Sequence, residues 1–202
     1  MRLAAENLSG ERGGETVFSG VSFALGQSET LLVTGPNGAG KSTLLRIIAG
    51  LLPVAKGHVA FSGGGEIFPD AGAACHYLGH LNGMKPALSI EENLVFWRDF
   101  LGEERLSPLE ALEIVGLGEI AHLPFGYLST GQRRRTAIAR LLVSYRPVWL
   151  LDEPTAGLDR ASEAQFAEVM RAHLSAGGII VAATHLPLGL EGTQELKMGA
   201  GN

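Results

Sequence analysis

The residues Gly35-Pro-Asn-Gly-Ala-Gly-Lys-Ser-Thr43, set between an apolar run (Leu31, Leu32, Val33) and an amphipathic run (Leu44, Leu45, Ile47, Ile48), leave this chain little choice of fold. Gly35, Gly38 and Gly40 admit turns closed to residues with a Cβ, so successive N–H groups converge on one point. The helix starting near Lys41 aims its positive end there too. Such a cradle takes the phosphates of a nucleotide. Pro36, Asn37, Ala39 and Thr43 belong to the same loop. Lys41 is placed to reach the terminal phosphates and the Ser42 hydroxyl to ligate Mg²⁺, a hard cation that keeps oxygen ligands. An ordinary glycine-rich turn needs neither Lys41 nor Ser42 at those offsets.

With 202 residues, 46% hydrophobic and 18% charged, the chain can fill one core and has room for a lobe. Its net charge of −5 argues against a nucleic-acid partner, which calls for a basic face. The basic run Arg133-Arg134-Arg135 reads as a solvated helix face. Cys75 is the single cysteine, which fits a reducing compartment and reads as a packed thiol. The first residues lack the apolar core of a secretory signal, and no apolar run approaches the ~18 residues that span a bilayer. A cytoplasmic chain able to dock on a membrane protein is expected.

Residues 3 to 25 alternate weakly and carry Gly10, Gly13, Gly14 and Gly20, as short antiparallel strands would. Thr30 to Thr34 suits a strand of a parallel sheet buried on both faces, followed by the loop and a helix ending near Ala49-Gly50. Val59, Phe61 and Gly63-Gly64-Gly65 predict a hairpin. From about 84 to 128 the periods turn helical, with helix starts at Ser89 and Ser107-Pro108, which predicts an inserted helical lobe. Strand, helix and strand return at 147–151, 161–175 and 179–183. The economical architecture is a doubly wound α/β domain.

Val148-Trp-Leu-Leu-Asp152-Glu153 is an apolar strand ending in two acids. At the C-terminal edge of a parallel sheet those carboxylates lie beside the phosphate loop. Asp152 can then hold Mg²⁺ through its water shell, and Glu153 can orient or deprotonate the attacking water. Two acids after a strand could instead cap a helix, a reading the phosphate loop disfavours.

Leu128-Ser129-Thr130-Gly131-Gln132 resembles the LSGGQ signature of ATP-binding-cassette (ABC) ATPases, with Thr130 in place of the first glycine. Leu151-Asp-Glu-Pro-Thr-Ala-Gly-Leu-Asp159 is similar to that family's second acidic motif and D-loop, and Ile179 to Thr184 leads to His185 at the switch-histidine position. The resemblance covers nearly the whole chain. It implies a single nucleotide-binding domain over 1–202, an α/β P-loop NTPase core sheet with an N-terminal antiparallel β part and the helical lobe. It also implies a head-to-tail, ATP-dependent homodimer in which each signature, Ser129 to Gln132, covers the γ-phosphate held by the other subunit. Lys41, Glu153 and His185 are the catalytic candidates.

Departures from the family pattern are specific. His80 stands where most members carry the Q-loop glutamine, which predicts weaker or partner-dependent hydrolysis. No adenine-stacking aromatic falls in register, and Arg12 is the nearest candidate, as a guanidinium can stack on a purine. Tyr77-Leu-Gly-His80, Phe18-Ser-Gly-Val-Ser-Phe23 and Thr184-His-Leu-Pro-Leu188 resemble, more narrowly, the ATP-binding subunits of bacterial cytochrome c maturation, the haem exporters. That implies integral-membrane permease subunits of the cytochrome c maturation complex as partners, and a peripheral place on the cytoplasmic face of the inner membrane. Cys75-His76 lacks the C-x-x-C-H spacing, so haem is not expected on this chain. A motor for another small exporter and a low-turnover, ATP-dependent assembly switch are the rival readings. A DNA-end clamp of the ABC type would need a long heptad insertion that residues 86–127 do not hold.

Overall fold

The structure, a computed structural model, describes residues 1–81 and 83–199. In chain order the elements are β1 (Arg2–Arg12), β2 (Glu15–Gly26), β3 (Thr30–Thr34), α1 (Lys41–Ile48), β4 (Lys56–Ser62), α2 (Ala71–Ala74) and β5 (Cys75–Leu78). They continue with α3 (Ile90–Leu101), α4 (Pro108–Ile114), α5 (Thr130–Val143), β6 (Val148–Asp152), α6 (Arg160–Ser175), β7 (Ile179–Ala183) and β8 (Gln194–Lys197). Contacts divide the chain into two units: Met1–Gly79 with Pro147–Pro154 and everything from Arg171 onward, and His80–Arg146 with Thr155–Met170.

The first unit holds two sheets. One is parallel throughout, in the order β5-β6-β7-β3-β8. Every residue of β6 and β7 is buried, which is why both read as unbroken apolar runs rather than alternating ones. Helix α1 packs against β6 and β7, burying Leu44, Leu45, Ile47 and Ile48. Its register is what matters for chemistry, because Val33 pairs with Ala183 and Ala183 with Asp152. Three strands therefore end level with one another, and the segments leaving them emerge side by side.

The other sheet is antiparallel, in the order β2-β1-β4. Two sequence expectations are corrected here. The strands are 11 and 12 residues long rather than short, because Gly10 and Gly20 sit within them instead of ending them. The β1 register shifts on both sides of Gly10, and a Cβ there would lie 2.5 Å from Phe18 Cε1, so the glycine makes a bulge under an aromatic ring. The hairpin across Gly63 to Gly65 does not form. Strand β4 pairs with β1 instead, Phe61 opposite Leu3, and the chain turns so tightly at Gly64 that a Cβ would lie 2.6 Å from the Phe68 carbonyl oxygen.

In the second unit α3, α4 and α5 each begin with a reciprocal capping box: Ser89 with Glu92, Ser107 with Glu110, Ser129 with Gln132. Asn93, 1% exposed, accepts from the Lys85 N–H and donates to the carbonyls of Lys85, Leu88 and Ser89, tying the segment before α3 to that helix. The arginine run is a solvated face only in part, Arg133 being exposed and Arg135 half-buried. Arg133 donates to the Gly126 carbonyl, Arg134 is buried, and Arg135 donates to the carbonyls of Val115 and Gly116. Arg140 lies 4.6 Å from the Trp97 ring centroid, and burial pushes its guanidinium down to about 10.

Bonds from the Ser89 backbone and hydroxyl hold the Glu92 carboxyl below its usual range, and bonds from the Ser107 hydroxyl and backbone do so for Glu110. A carboxyl depressed in the folded state stabilises above its unfolded pKa, about 4.3, and that contribution is lost as pH falls through the folded value. The melting temperature should therefore fall on acidification below about pH 4. It should fall less steeply in Glu92→Gln/Glu110→Gln, whose amides cap without titrating; identical slopes by calorimetry would refute the assignment.

Candidate functional site

The chain leaves β3 at Gly35 with φ 138°, and a Cβ there would lie 2.2 Å from the Met198 carbonyl oxygen. At Gly40, which opens α1 with φ 92°, a Cβ would lie 2.8 Å from Val17 Cγ1 and 2.9 Å from Phe18 Cδ1. The loop is thus threaded between β2 and the segment after β8, and only glycine fits at either end. Pro36, Asn37 and Gly38 form its exposed crest; Ala39 is half-buried under Gly199, whose Cβ would lie 3.1 Å from that of Ala39. Thr43 is buried in the first turn of α1.

Lys41 is 7% exposed. Its Nζ donates to the carbonyls of Gly35 (2.6 Å) and Pro36 (3.1 Å) and lies 3.2 Å from His185 Nε2. An ammonium has only donors, so in this contact His185 Nε2 stands as the acceptor. Thr184, buried at the end of β7, accepts from the Leu186 N–H at 3.0 Å and turns His185 out to the exposed rim.

Asp152 ends β6 at 2% exposure. Its Oδ1 accepts from Ser42 Oγ at 3.0 Å and its Oδ2 from the Tyr77 hydroxyl at 3.0 Å. Arg46 Nε donates to the same hydroxyl at 3.2 Å. Burial pushes the Tyr77 phenol up, against the opposing pull of Arg46, so it keeps its proton. Glu153, half-buried, has φ 45°, a left-handed conformation that costs a non-glycine residue about 1 kcal/mol or more. Its N–H donates to the Ala183 carbonyl at 2.8 Å, which holds that conformation. Arg12 is exposed at the end of β1, opposite Glu15 across the hairpin. Burial pushes the Cys75 thiol far up, which suits an inert group.

In the second unit Ser129 Oγ accepts from the Gln132 N–H at 3.3 Å, and Gln132 Oε1 accepts from the Ser129 N–H at 2.9 Å. A Cβ on Gly131 would lie 3.2 Å from the Gly157 carbonyl oxygen, and one on Gly157 3.3 Å from Thr130 Cγ2, so the signature packs against the segment leading to Asp159. Asp159 accepts from the Ser162 N–H at 2.8 Å, caps α6, and is held below the usual carboxylate range chiefly by that bond. His80 is exposed in the bend that opens this unit.

The first unit thus brings together Gly35, Pro36, Lys41, Ser42, Asp152 and His185, and the second gathers Ser129 to Gln132 around Gly157. Sequence reasoning missed Tyr77, Arg46 and Met198. Arg46 had a usable signal, since it follows Ser42 by four residues and so shares its helix face. Met198 had none, because a backbone carbonyl leaves no mark in sequence.

Comparison with known proteins adds four findings. The family described as ABC transporter matches residues 18–156. The chain is 69% identical over 199 residues to the cytochrome c biogenesis ATP-binding export protein CcmA of Mesorhizobium japonicum, covering 98% of each. It is 64% identical over 192 residues to the Brucella abortus protein of the same name, covering 95% of this chain and 89% of that one. Among solved structures, a dimeric ATP-binding cassette in a post-hydrolysis state with ADP and Pi has TM-score 0.82 at 24% identity, covering 97% of this chain and 94% of the other.

Gly35→Ala should cost about 2 kcal/mol or more, since it adds strain at a positive φ and a collision with Met198. It should also abolish the rise in melting temperature that ATP produces. A thermal-shift assay with and without ATP checks both, and an unaltered ATP shift would contradict the threaded loop.

Proposed function

The chain belongs to the ABC transporter family, and on that premise we propose that it is the ATP-hydrolysing subunit of a cytochrome c maturation transporter, driving haem delivery or release of the haem-loaded periplasmic chaperone. The observation that carries the hydrolytic part is the convergence of Lys41, Ser42, Asp152 and His185 at one sheet edge, each within hydrogen-bond reach of another. The cargo rests on the relatives of 64% and 69% identity, each a cytochrome c biogenesis ATP-binding export protein by name.

Nucleotide binds at the loop, where Lys41 exchanges the carbonyls of Gly35 and Pro36 for phosphate oxygens. Ser42 and Asp152 suit Mg²⁺. Both offer hard oxygens, 3.0 Å apart: the Ser42 hydroxyl would ligate the cation and Asp152 would hold it through its water shell. When bound, Mg²⁺ neutralises and orients the β- and γ-phosphates. Glu153 orients the attacking water and accepts its proton. His185 donates from its imidazole to the γ-phosphate as charge spreads over the equatorial oxygens. Arg12 would stack on adenine. In a head-to-tail homodimer Ser129, Thr130, Gly131 and Gln132 close over the γ-phosphate of the other subunit, beside Asp159, and ADP formation loosens the pair.

The partners proposed are the integral-membrane permease subunits of the maturation complex, met at the cytoplasmic face of the bacterial inner membrane; haem ligation is assigned to them and not to this chain. Among the described residues no helix is long and apolar enough to cross a membrane. His80 in place of glutamine favours a second reading, an assembly switch of low turnover. His80→Gln should then raise basal turnover several-fold, and an unchanged rate would remove that reading.

Lys41→Ala should lose ATP affinity by about tenfold or more, since it deletes a charged contact to phosphate. Glu153→Gln should keep ATP, lose turnover and accumulate as a dimer on size exclusion; normal hydrolysis by this variant would refute the base assignment. Pull-down of tagged chain from native membranes in mild detergent, with mass spectrometry and a haem absorbance scan, tests the cargo. Maturation permease subunits are expected; a different permease would overturn the haem system and leave the ATPase standing.

A further inference from the structure

Both oxygens of the Asp152 carboxylate are engaged, Oδ1 by Ser42 and Oδ2 by Tyr77. The Tyr77 hydroxyl is in turn engaged by Arg46, one turn beyond Ser42 on α1. The four side chains close a ring that starts and ends on one helix. Chemistry sets its direction. A guanidinium has only donors, so the phenol oxygen accepts from Arg46; a carboxylate only accepts, so the phenol proton goes to Asp152. A carboxylate pinned at both oxygens cannot turn about its terminal torsion without breaking a bond to a charged group in a buried place.

The position of Tyr77 is itself built. A Cβ on Gly79 would lie 2.7 Å from Tyr77 Cε1 and 2.9 Å from its hydroxyl oxygen, so the ring lies over a backbone that only glycine leaves open. Strand β5 pairs with β6, Tyr77 opposite Leu150 and Leu78 opposite Leu151, which sets the ring beside the end of β6. Nothing in the folding of the sheet requires a hydroxyl at this place, whereas Asp152 uses one.

We propose that Tyr77 is the positioning residue of the Mg²⁺ site: braced by Arg46 and admitted by Gly79, it fixes the Asp152 carboxylate so that Oδ1 faces Ser42 and the phosphate loop. This rests on the reading that Ser42 and Asp152 hold Mg²⁺, the latter through its water shell. Without the phenol proton, the carboxylate turns or recruits water at Oδ2, and the Ser42–Asp152 pair must be ordered each time Mg²⁺ arrives. A Tyr77 that merely braced β5 against α1 would act alike on nucleotide with and without the metal.

The test uses the full chain and a fluorescent ATP analogue, titrated in EDTA and again across Mg²⁺ concentrations, with Mn²⁺ electron paramagnetic resonance as a second readout. Tyr77→Phe should leave affinity in EDTA within about twofold, raise the half-saturating Mg²⁺ concentration about tenfold, and broaden the bound Mn²⁺ signal. Gly79→Ala, which keeps the hydroxyl and displaces the ring, should move the metal dependence the same way. Arg46→Met should have a smaller effect that does not add to that of Tyr77→Phe, because the two act in series. Asp152→Asn is the control for the underlying site. If it alters the Mg²⁺ dependence and Tyr77→Phe and Gly79→Ala do not, the role of Tyr77 is overturned while the metal site stands. If Asp152→Asn alters nothing, the metal site falls and this inference with it. Equal loss in EDTA and in Mg²⁺ for Tyr77→Phe would reduce the residue to a brace.

Discussion

The lateral register of β3, β7 and β6 governs everything chemical in the first unit. Because Val33, Ala183 and Asp152 stand level across three parallel strands, the loop after β3, the histidine after β7 and the acid ending β6 share one edge. A parallel sheet sends all its C-terminal ends the same way, so functional groups from distant parts of the sequence meet there without any dedicated connection. Every residue of β6 and β7 is buried, so sliding either strand along its neighbours would draw one end of its run out of the core.

Register brings the groups near, and hydrogen bonding decides how they face. Lys41, nearly buried, needs acceptors, and it finds them in the carbonyls of Gly35 and Pro36 and in the His185 nitrogen. Asp152, as deeply buried, needs donors and finds them in Ser42 and Tyr77. The two buried charges are served by separate sets of partners rather than by each other. Each charge is thus held by its own set of neutral partners at the same edge of the sheet.

Much of this was legible in the sequence because the motifs encode local geometry. The spacing of Gly35, Gly40 and Lys41, the serines that cap α3, α4 and α5, and the apolar run into Asp152 each specify a turn, a cap or a strand end from a few adjacent residues. What was not legible depends on tertiary contact. Gly10 and Gly20 look like strand ends until Phe18 is seen over the first of them. Arg133 to Arg135 look solvated until the carbonyls of Gly126, Val115 and Gly116 are placed. Gly63 to Gly65 suggest a hairpin only until β1 claims β4.

Tyr77 illustrates the limit most clearly. On its strand it alternates with the buried residues His76 and Leu78, and such a half-buried tyrosine ordinarily means a ring packed on a sheet face. Its hydroxyl gains meaning only once α1 is laid across β6 and Arg46 arrives from the same helix that brings Ser42. Helix α1 thus reaches one carboxylate twice, a turn apart: Ser42 donates to Asp152 directly, and Arg46 donates to the phenol that donates to its other oxygen. Only the first is written in the motif. The second follows from the pitch of a helix, which returns to the same face after four residues whether or not a motif records it.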